Sequence, residues 1–158
     1  VDLIAGEEPE LCVRLRAKGW QIWRLDHEMT LHDAAITRFG QWWRRAKRSG
    51  HAFAEGTAMH GAAPERHRTR QTARALIWGL VLPIFIVATL SLWGTWGLLA
   101  VFLYPLQVFR IARRDSNNTH AWACAMLTVT SKFPETLGVL EYWILRLRRK
   151  KATLIEYK

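Results

Sequence analysis

Cysteine is nearly absent from this 158-residue chain: Cys12 and Cys124 are the only two, far apart and without metal-ligand spacing. They form no framework, which excludes a small disulfide-stapled secreted scaffold and leaves a reducing compartment as the expectation for the part in water. Acidic residues are also scarce, 13 against 23 Lys and Arg, giving a formal net charge of +10. Such an excess would suit a nucleic-acid binder, but no zinc-finger spacing, aromatic RNA-binding signature or helix-turn-helix pattern accompanies it. Charge of either sign is missing altogether from residues 75–109. The basic residues gather on both sides of that stretch, at Arg66, Arg68, Arg70 and Arg74 before it and at Arg110, Arg113 and Arg114 after it. Cations bracketing an apolar block orient membrane segments, so membrane lipids are expected partners and nucleic acid is not. Initiator Met, signal peptide and internal repeats are lacking too, and the first residues read as the interior of a domain, so a fragment is expected.

As one straight helix, residues 75–109 would reach about 52 Å at 1.5 Å per residue, against a hydrocarbon core of about 30 Å. Trp93-Gly94-Thr95-Trp96-Gly97 offers a turn with interfacial aromatics. The expectation is a hairpin of two short spans, both outer ends in the cytoplasm, with kinks at Pro83 and Pro105. Each half sits near the lower length limit, which a thin bilayer or a re-entrant hairpin accommodates.

Before the apolar block, Pro9 suits the first turn of a helix over 9–18, with Glu7, Glu8 and Glu10 at its positive end and Gly19 closing it. Alternation over 20–25 predicts a short strand, and 29–31 a second one ending at His32. From 37 to 61, Phe39, Trp42 or Trp43, Ala46, Gly50 and Phe53 recur at helical spacing, and Arg44, Arg45, Lys47 and Arg48 supply a basic face. Such a helix can lie on an anionic bilayer, though Gly50, Gly56 and Gly61 predict a break into two pieces. A charged connector over 62–71 follows. After it and the apolar block, 121–129 is too short to span, and Leu137, Leu140, Ile144 and Leu147 make a stripe ending in Arg146, Arg148, Arg149, Lys150 and Lys151. That stripe fits a helix on the membrane surface or one packed on the soluble part.

Two adjacent carboxylates before a helix fit capping as well as chemistry. The longer string Gly6-Glu7-Glu8-Pro9-Glu10-Leu11, with Arg14-Leu15-Arg16 and Gly19-Trp20, resembles the acceptor-side acidic motif of glycosyltransferase family 2. The resemblance implies the closing part of an α/β GT-A domain over 1–36, then a mostly α-helical region: an interface helix and connector over 37–74, the hairpin over 75–109 and a surface helix with a basic tail over 110–158. It places Glu8 as the general base that takes the acceptor proton in an inverting transfer, with Glu7 second in line. His32 stands where similar enzymes carry a ligand for a divalent metal, Mg or Mn, on the diphosphate; a His bonded to backbone or capping the strand is the alternative. Gln41-Trp42-Trp43-Arg44-Arg45 partly resembles the Gln-x-x-Arg-Trp motif of processive family 2 synthases, with Arg45 where Trp would stand. It implies diphosphate contact by Gln41 and Arg44 and acceptor stacking by Trp42 or Trp43, against the alternative of tryptophans at headgroup depth. The stretches Lys132-Phe133-Pro134-Glu135 and Ala152-Thr153-Leu154-Ile155-Glu156-Tyr157-Lys158 resemble the tail of bacterial membrane-bound members. What the resemblance implies for the whole protein is transfer from a nucleotide-sugar donor to a lipid-linked or polysaccharide acceptor at the bacterial inner membrane. The donor-binding strands and Asp-x-Asp motif are not in this chain, so activity is expected of a longer parent; a non-catalytic anchor or assembly subunit is the alternative.

Overall fold

The computed structural model describes residues 7–23, 26, 36–115 and 119–149. Every element among them is helical: α1 Glu7–Ala17, α2 Phe39–His60, α3 Thr69–Leu76, α4 Leu82–Trp93, α5 Leu103–Arg114, α6 Ala121–Thr130 and α7 Lys132–Leu147. A π-helical turn, Ile77–Val81, joins α3 to α4, and a 3-10 stretch, Gly94–Phe102, joins α4 to α5.

The α/β expectation is thereby overturned: the described residues hold no strand, and the fold is all-α rather than the end of a GT-A domain. A strand persists only when hydrogen-bonded to a neighbour, and the described residues offer 20–23 none. Trp20 instead donates its backbone N–H to the Leu15 carbonyl (3.1 Å), closing the end of α1, and Trp20 and Trp23 stand exposed. The second strand candidate, 29–31, lies outside the described residues.

Helix α2 runs unbroken through Gly50 and Gly56, against the expected break. Gly50 faces α7, where a methyl group would collide with the Glu135 carbonyl; a methyl at Gly138 of α7 would collide with the Lys47 carbonyl of α2. The missing side chains let the two backbones touch, which offsets the weaker helix propensity of glycine. Lys47 Nζ reaches Glu141 at 3.1 Å and the His51 ring meets Tyr142 edge-on at 5.3 Å beside this crossing. Helix α3 joins from another side, with the Thr136 hydroxyl donating to the Ala75 carbonyl at 2.6 Å. Ala54, Ala75 and Val139 form the shared core, and the largest fully buried side chains are Val139 and Pro134. So small a core supplies little hydrophobic driving force in water. The apolar stripe of α7 faces outward, Leu137, Ile144 and Leu147 being exposed, while its opposite face packs on α2.

The helical stretch Thr69–Arg114 is, among the described residues, the one long and apolar enough to cross a membrane by length and composition. It is not straight. The Leu82 N–H reaches five residues back to the Ile77 carbonyl, and this widened turn absorbs Pro83, which has no N–H and whose ring would crowd the carbonyl four residues back. At Gly94 (φ 60°, ψ −140°) the backbone takes a conformation that a Cβ forbids, and the chain reverses. The Thr89 hydroxyl then lies 3.5 Å from the Gly97 carbonyl, and the Tyr104 hydroxyl donates to the Trp78 carbonyl at 2.8 Å. Since a 3-10 stretch rises about 2.0 Å per residue against 1.5 Å for an α-helix, residues 94–109 extend about 28 Å and match residues 75–93 in length. Between the limbs Thr89 and Gly97 are buried, while Phe85, Val87, Leu92, Leu99 and Phe102 point outward. Helix α6, about 15 Å long, lays Ala121, Ala125 and Val129 inward and packs on α5, with Trp122 against Phe109 at 6.1 Å.

Candidate functional site

The acidic motif forms the first turn of α1, where carboxylates meet the unpaired N–H groups and the positive helix end. Glu7 and Glu8 are exposed there and have no partner among the described residues. Glu10 differs: it is 3% exposed, with Arg14 Nε donating to its Oε2 (2.8 Å) and His60 Nε2 beside its Oε1 (2.9 Å). Burial by itself would raise its pKa, but the hydrogen bonds and charges of His60 and Arg14 outweigh it and hold the carboxyl below the ordinary carboxylate range. With both oxygens engaged and water excluded, Glu10 is a fastening, not a base. It ties α1 to the end of α2.

A second pair extends the fastening to the connector. Arg16 Nε and Nη2 donate to Glu65 Oε1 and Oε2 at 3.2 and 3.0 Å, a bidentate fork that raises the Arg16 pKa and lowers that of Glu65. His67 stands beside His60, rings 6.5 Å apart, its pKa lowered by burial and by the charges of Arg68 and His60. Helix α1 is therefore fixed to the segment that leads directly into Thr69 and the apolar hairpin. Whatever Glu7 and Glu8 do, they do beside that entry.

The Gln-Trp-Trp-Arg motif opens α2. Gln41 Oε1 accepts the backbone N–H groups of Thr37 (3.1 Å) and Arg38 (3.0 Å), so its side chain caps the helix. Phe39, Trp42 and Trp43 pack into one aromatic cluster, ring centroids 5.1 to 6.4 Å apart, and Arg44 is exposed. At 1.5 Å per residue, Trp43 and His60 lie about 25 Å apart along α2. The structure thus joins Glu7 and Glu8 to one end of α2 and Gln41, Trp42, Trp43 and Arg44 to the other, and does not bring the two motifs together. His32 lies outside the described residues. No three His, Cys, Asp or Glu side chains among the described residues converge as an ion would need.

Sequence reasoning missed Glu10, His60 and Glu65 as a unit. Arg14 four residues after Glu10 is the local signal for a paired carboxylate, but nothing in the sequence marks His60, fifty residues on, as its partner. No protein-family model, curated protein or solved structure matches the chain.

Proposed function

We propose that this chain is the membrane-embedding part of a family 2 glycosyltransferase that moves a sugar from a nucleotide-sugar donor to a lipid-linked or polysaccharide acceptor with inversion. The observation that carries this reading is the inverted polarity of the hairpin, with Thr89 and Gly97 inside and Phe85, Val87 and Phe102 outside, which suits lipid and not water as its solvent. Two limbs of about 28 Å each approach the thickness of a bilayer core, and the cations at both outer ends support a reading in which both ends face the cytoplasm of a bacterial inner membrane and the limbs cross it as two spans. The Glu10–His60 pair keeps α1 against the end of α2, and on the membrane placement proposed here that puts Glu7 and Glu8 on the water side, beside the surface where a lipid-linked acceptor presents its hydroxyl. Glu8 then takes the acceptor proton, and its exposure leaves it free to do so.

The test uses the full-length enzyme from the native gene in membranes, with Glu8→Gln and Glu7→Gln made separately. Glu8→Gln is expected to slow sugar transfer by about a hundredfold or more, with Glu7→Gln milder. Unchanged transfer in both overturns the catalytic assignment. The separation of the two motifs along α2 favours a second reading, a non-catalytic membrane anchor or assembly subunit. That reading predicts that deleting everything after Arg74 abolishes complex formation while the acidic substitutions do nothing.

A further inference from the structure

At the mouth of the hairpin a cavity of about 450 Å³ opens between the start of the first limb, the end of the second and the α6–α7 junction. Four cations line it: Arg74 from α3, Arg110 and Arg114 from α5 and Lys132 from α7, with Trp78 and Gln107 alongside. None of its lining residues is acidic. Lys132 is engaged by Glu135 at 2.6 Å, but Arg74, Arg110 and Arg114 have no acidic partner among the described residues. Three like charges converging on one cavity repel, and an anion held among them would offset that repulsion. Guanidinium forks match phosphate oxygens, and the volume lies within the range of small-ligand sites. The cavity also stands where the apolar limbs end and the cations begin, which in a bilayer is headgroup depth, with the Trp78 indole suited to that layer.

We infer that this cavity binds the phosphate headgroup of a membrane lipid, a phosphomonoester or diphosphate, with the lipid chains continuing along the apolar exterior of the hairpin. A zwitterionic headgroup is disfavoured because its own cation would meet the three guanidiniums. The apolar members of the lining, Ile111 and Val129, sit beside the arginines, so a ligand with both an anionic head and a hydrocarbon tail satisfies the cavity better than free phosphate does. The inference rests on the membrane placement proposed above and not on sugar transfer.

The test is native mass spectrometry of the detergent-solubilised full-length protein titrated with phosphatidic acid, phosphatidylcholine and inorganic diphosphate. Phosphatidic acid is expected to bind at least about tenfold more tightly than phosphatidylcholine, and inorganic diphosphate to compete with it. R74Q/R110Q/R114Q is expected to lose that preference, whereas R146Q/R148Q/R149Q, which removes equal charge from the end of α7 and beyond, keeps it. Arg110→Lys, which retains the charge but not the fork, is expected to fall between, and unchanged helical circular dichroism shows that each variant is folded. Equal binding of the two lipids, or equal loss in both triple variants, overturns the site; binding of diphosphate without phosphatidic acid overturns its assignment to lipid. Retention of the protein in carbonate-washed membranes reads the membrane placement separately, so failure of one is not mistaken for failure of the other.

Discussion

In the hairpin, Thr89 and Gly97 are buried while Phe85, Val87 and Phe102 face out; in α1, Val13 is buried while Glu7, Glu8 and Arg14 face out. Both regions are helical and both bury one polar group, Thr89 in one and Glu10 in the other. The hairpin satisfies Thr89 through the Ile86 carbonyl of its own helix, and α1 satisfies Glu10 with a histidine and an arginine. On the membrane placement proposed above, the contrast reflects two solvents. In lipid, exposed apolar surface carries no penalty and small residues draw helices together; in water, charged surface is free and a buried carboxylate persists only if paired.

The largest effect that separates the two regions is a charge placed on each outer face. Val87, 63% exposed near the middle of the first limb, becomes a site of about 3 kcal/mol when changed to Arg in a bilayer, while an exposed substitution in water stays within about 0.5 kcal/mol. Leu11, 46% exposed on α1, is the matched position. Val87→Arg is expected to shift the full-length protein out of carbonate-washed membranes, and Leu11→Arg to leave it there. If both variants behave alike, the two regions share one solvent and the comparison collapses.

The crossing of α2 and α7 comes next. Gly138→Ala puts a methyl group into the Lys47 carbonyl, and overpacking of this kind costs about 2 kcal/mol. At Gly40, near the start of α2, a methyl meets nothing, so Gly40→Ala is expected to hold or slightly raise stability through helix propensity. Thermal unfolding in detergent distinguishes them: a Tm fall in Gly138→Ala alone supports the backbone contact, and equal Tm values refute it.

These positions also show where the sequence was legible. The uncharged stretch, its turn glycine and its cationic flanks are local features, and Gly94 reverses the chain within the expected Trp93-Gly97 turn. The glycines of α2 misled because propensity is local, whereas the use of Gly50 depends on a helix 85 residues away and that of Gly56 on the His67 and Arg68 side chains of the connector. The alternation that begins at Trp20 misled over residues 20–23 for the same reason, since pairing decides a strand and no partner is visible in the segment itself. At the candidate site, Glu7 and Glu8 at a helix start were readable from Pro9, whereas the capping bonds of Gln41, read from the motif as a ligand contact, were not. The cluster of arginines at 74, 110 and 114 was readable as flanks and not as a cavity, because only the reversal at Gly94 brings them together.

Glu10 gives the third effect. Glu10→Gln removes two charge-assisted hydrogen bonds and is expected to loosen α1 by about 2 kcal/mol, read as faster proteolysis between α1 and α2. Its pKa is lower in the fold than in the open chain, so its contribution is complete above the ordinary carboxylate value and is lost as pH falls below that value through the folded one. The fastening should therefore open in acid, and Glu10→Gln should abolish that part of the acid dependence. His51, buried beside Tyr142, has its pKa lowered chiefly by burial, so its contribution begins to fall already below the ordinary imidazole range. Two acid-sensitive steps are expected, the upper one at the α2–α7 crossing and at His67 of the connector, whose pKa burial also lowers, and the lower one at α1; a single step removed whole by Glu10→Gln would contradict that division.

The smallest effect belongs to Arg16 and Glu65, although their fork has better geometry than the Glu10 pairs. Both side chains are open to water, at 45% and 31% exposure, so solvent screens their attraction and holding two long side chains in register opposes it. The opposed pKa shifts of the two groups show that each senses the other, yet such sensing contributes little once water competes for both. Arg16→Ala is expected to leave Tm unchanged, and raising the salt concentration should not distinguish it from the unaltered protein. If Arg16→Ala instead loosens α1 as much as Glu10→Gln does, the connector is dry in the membrane-bound protein, and the boundary between lipid and water lies closer to α1 than the exposed position of Glu65 implies.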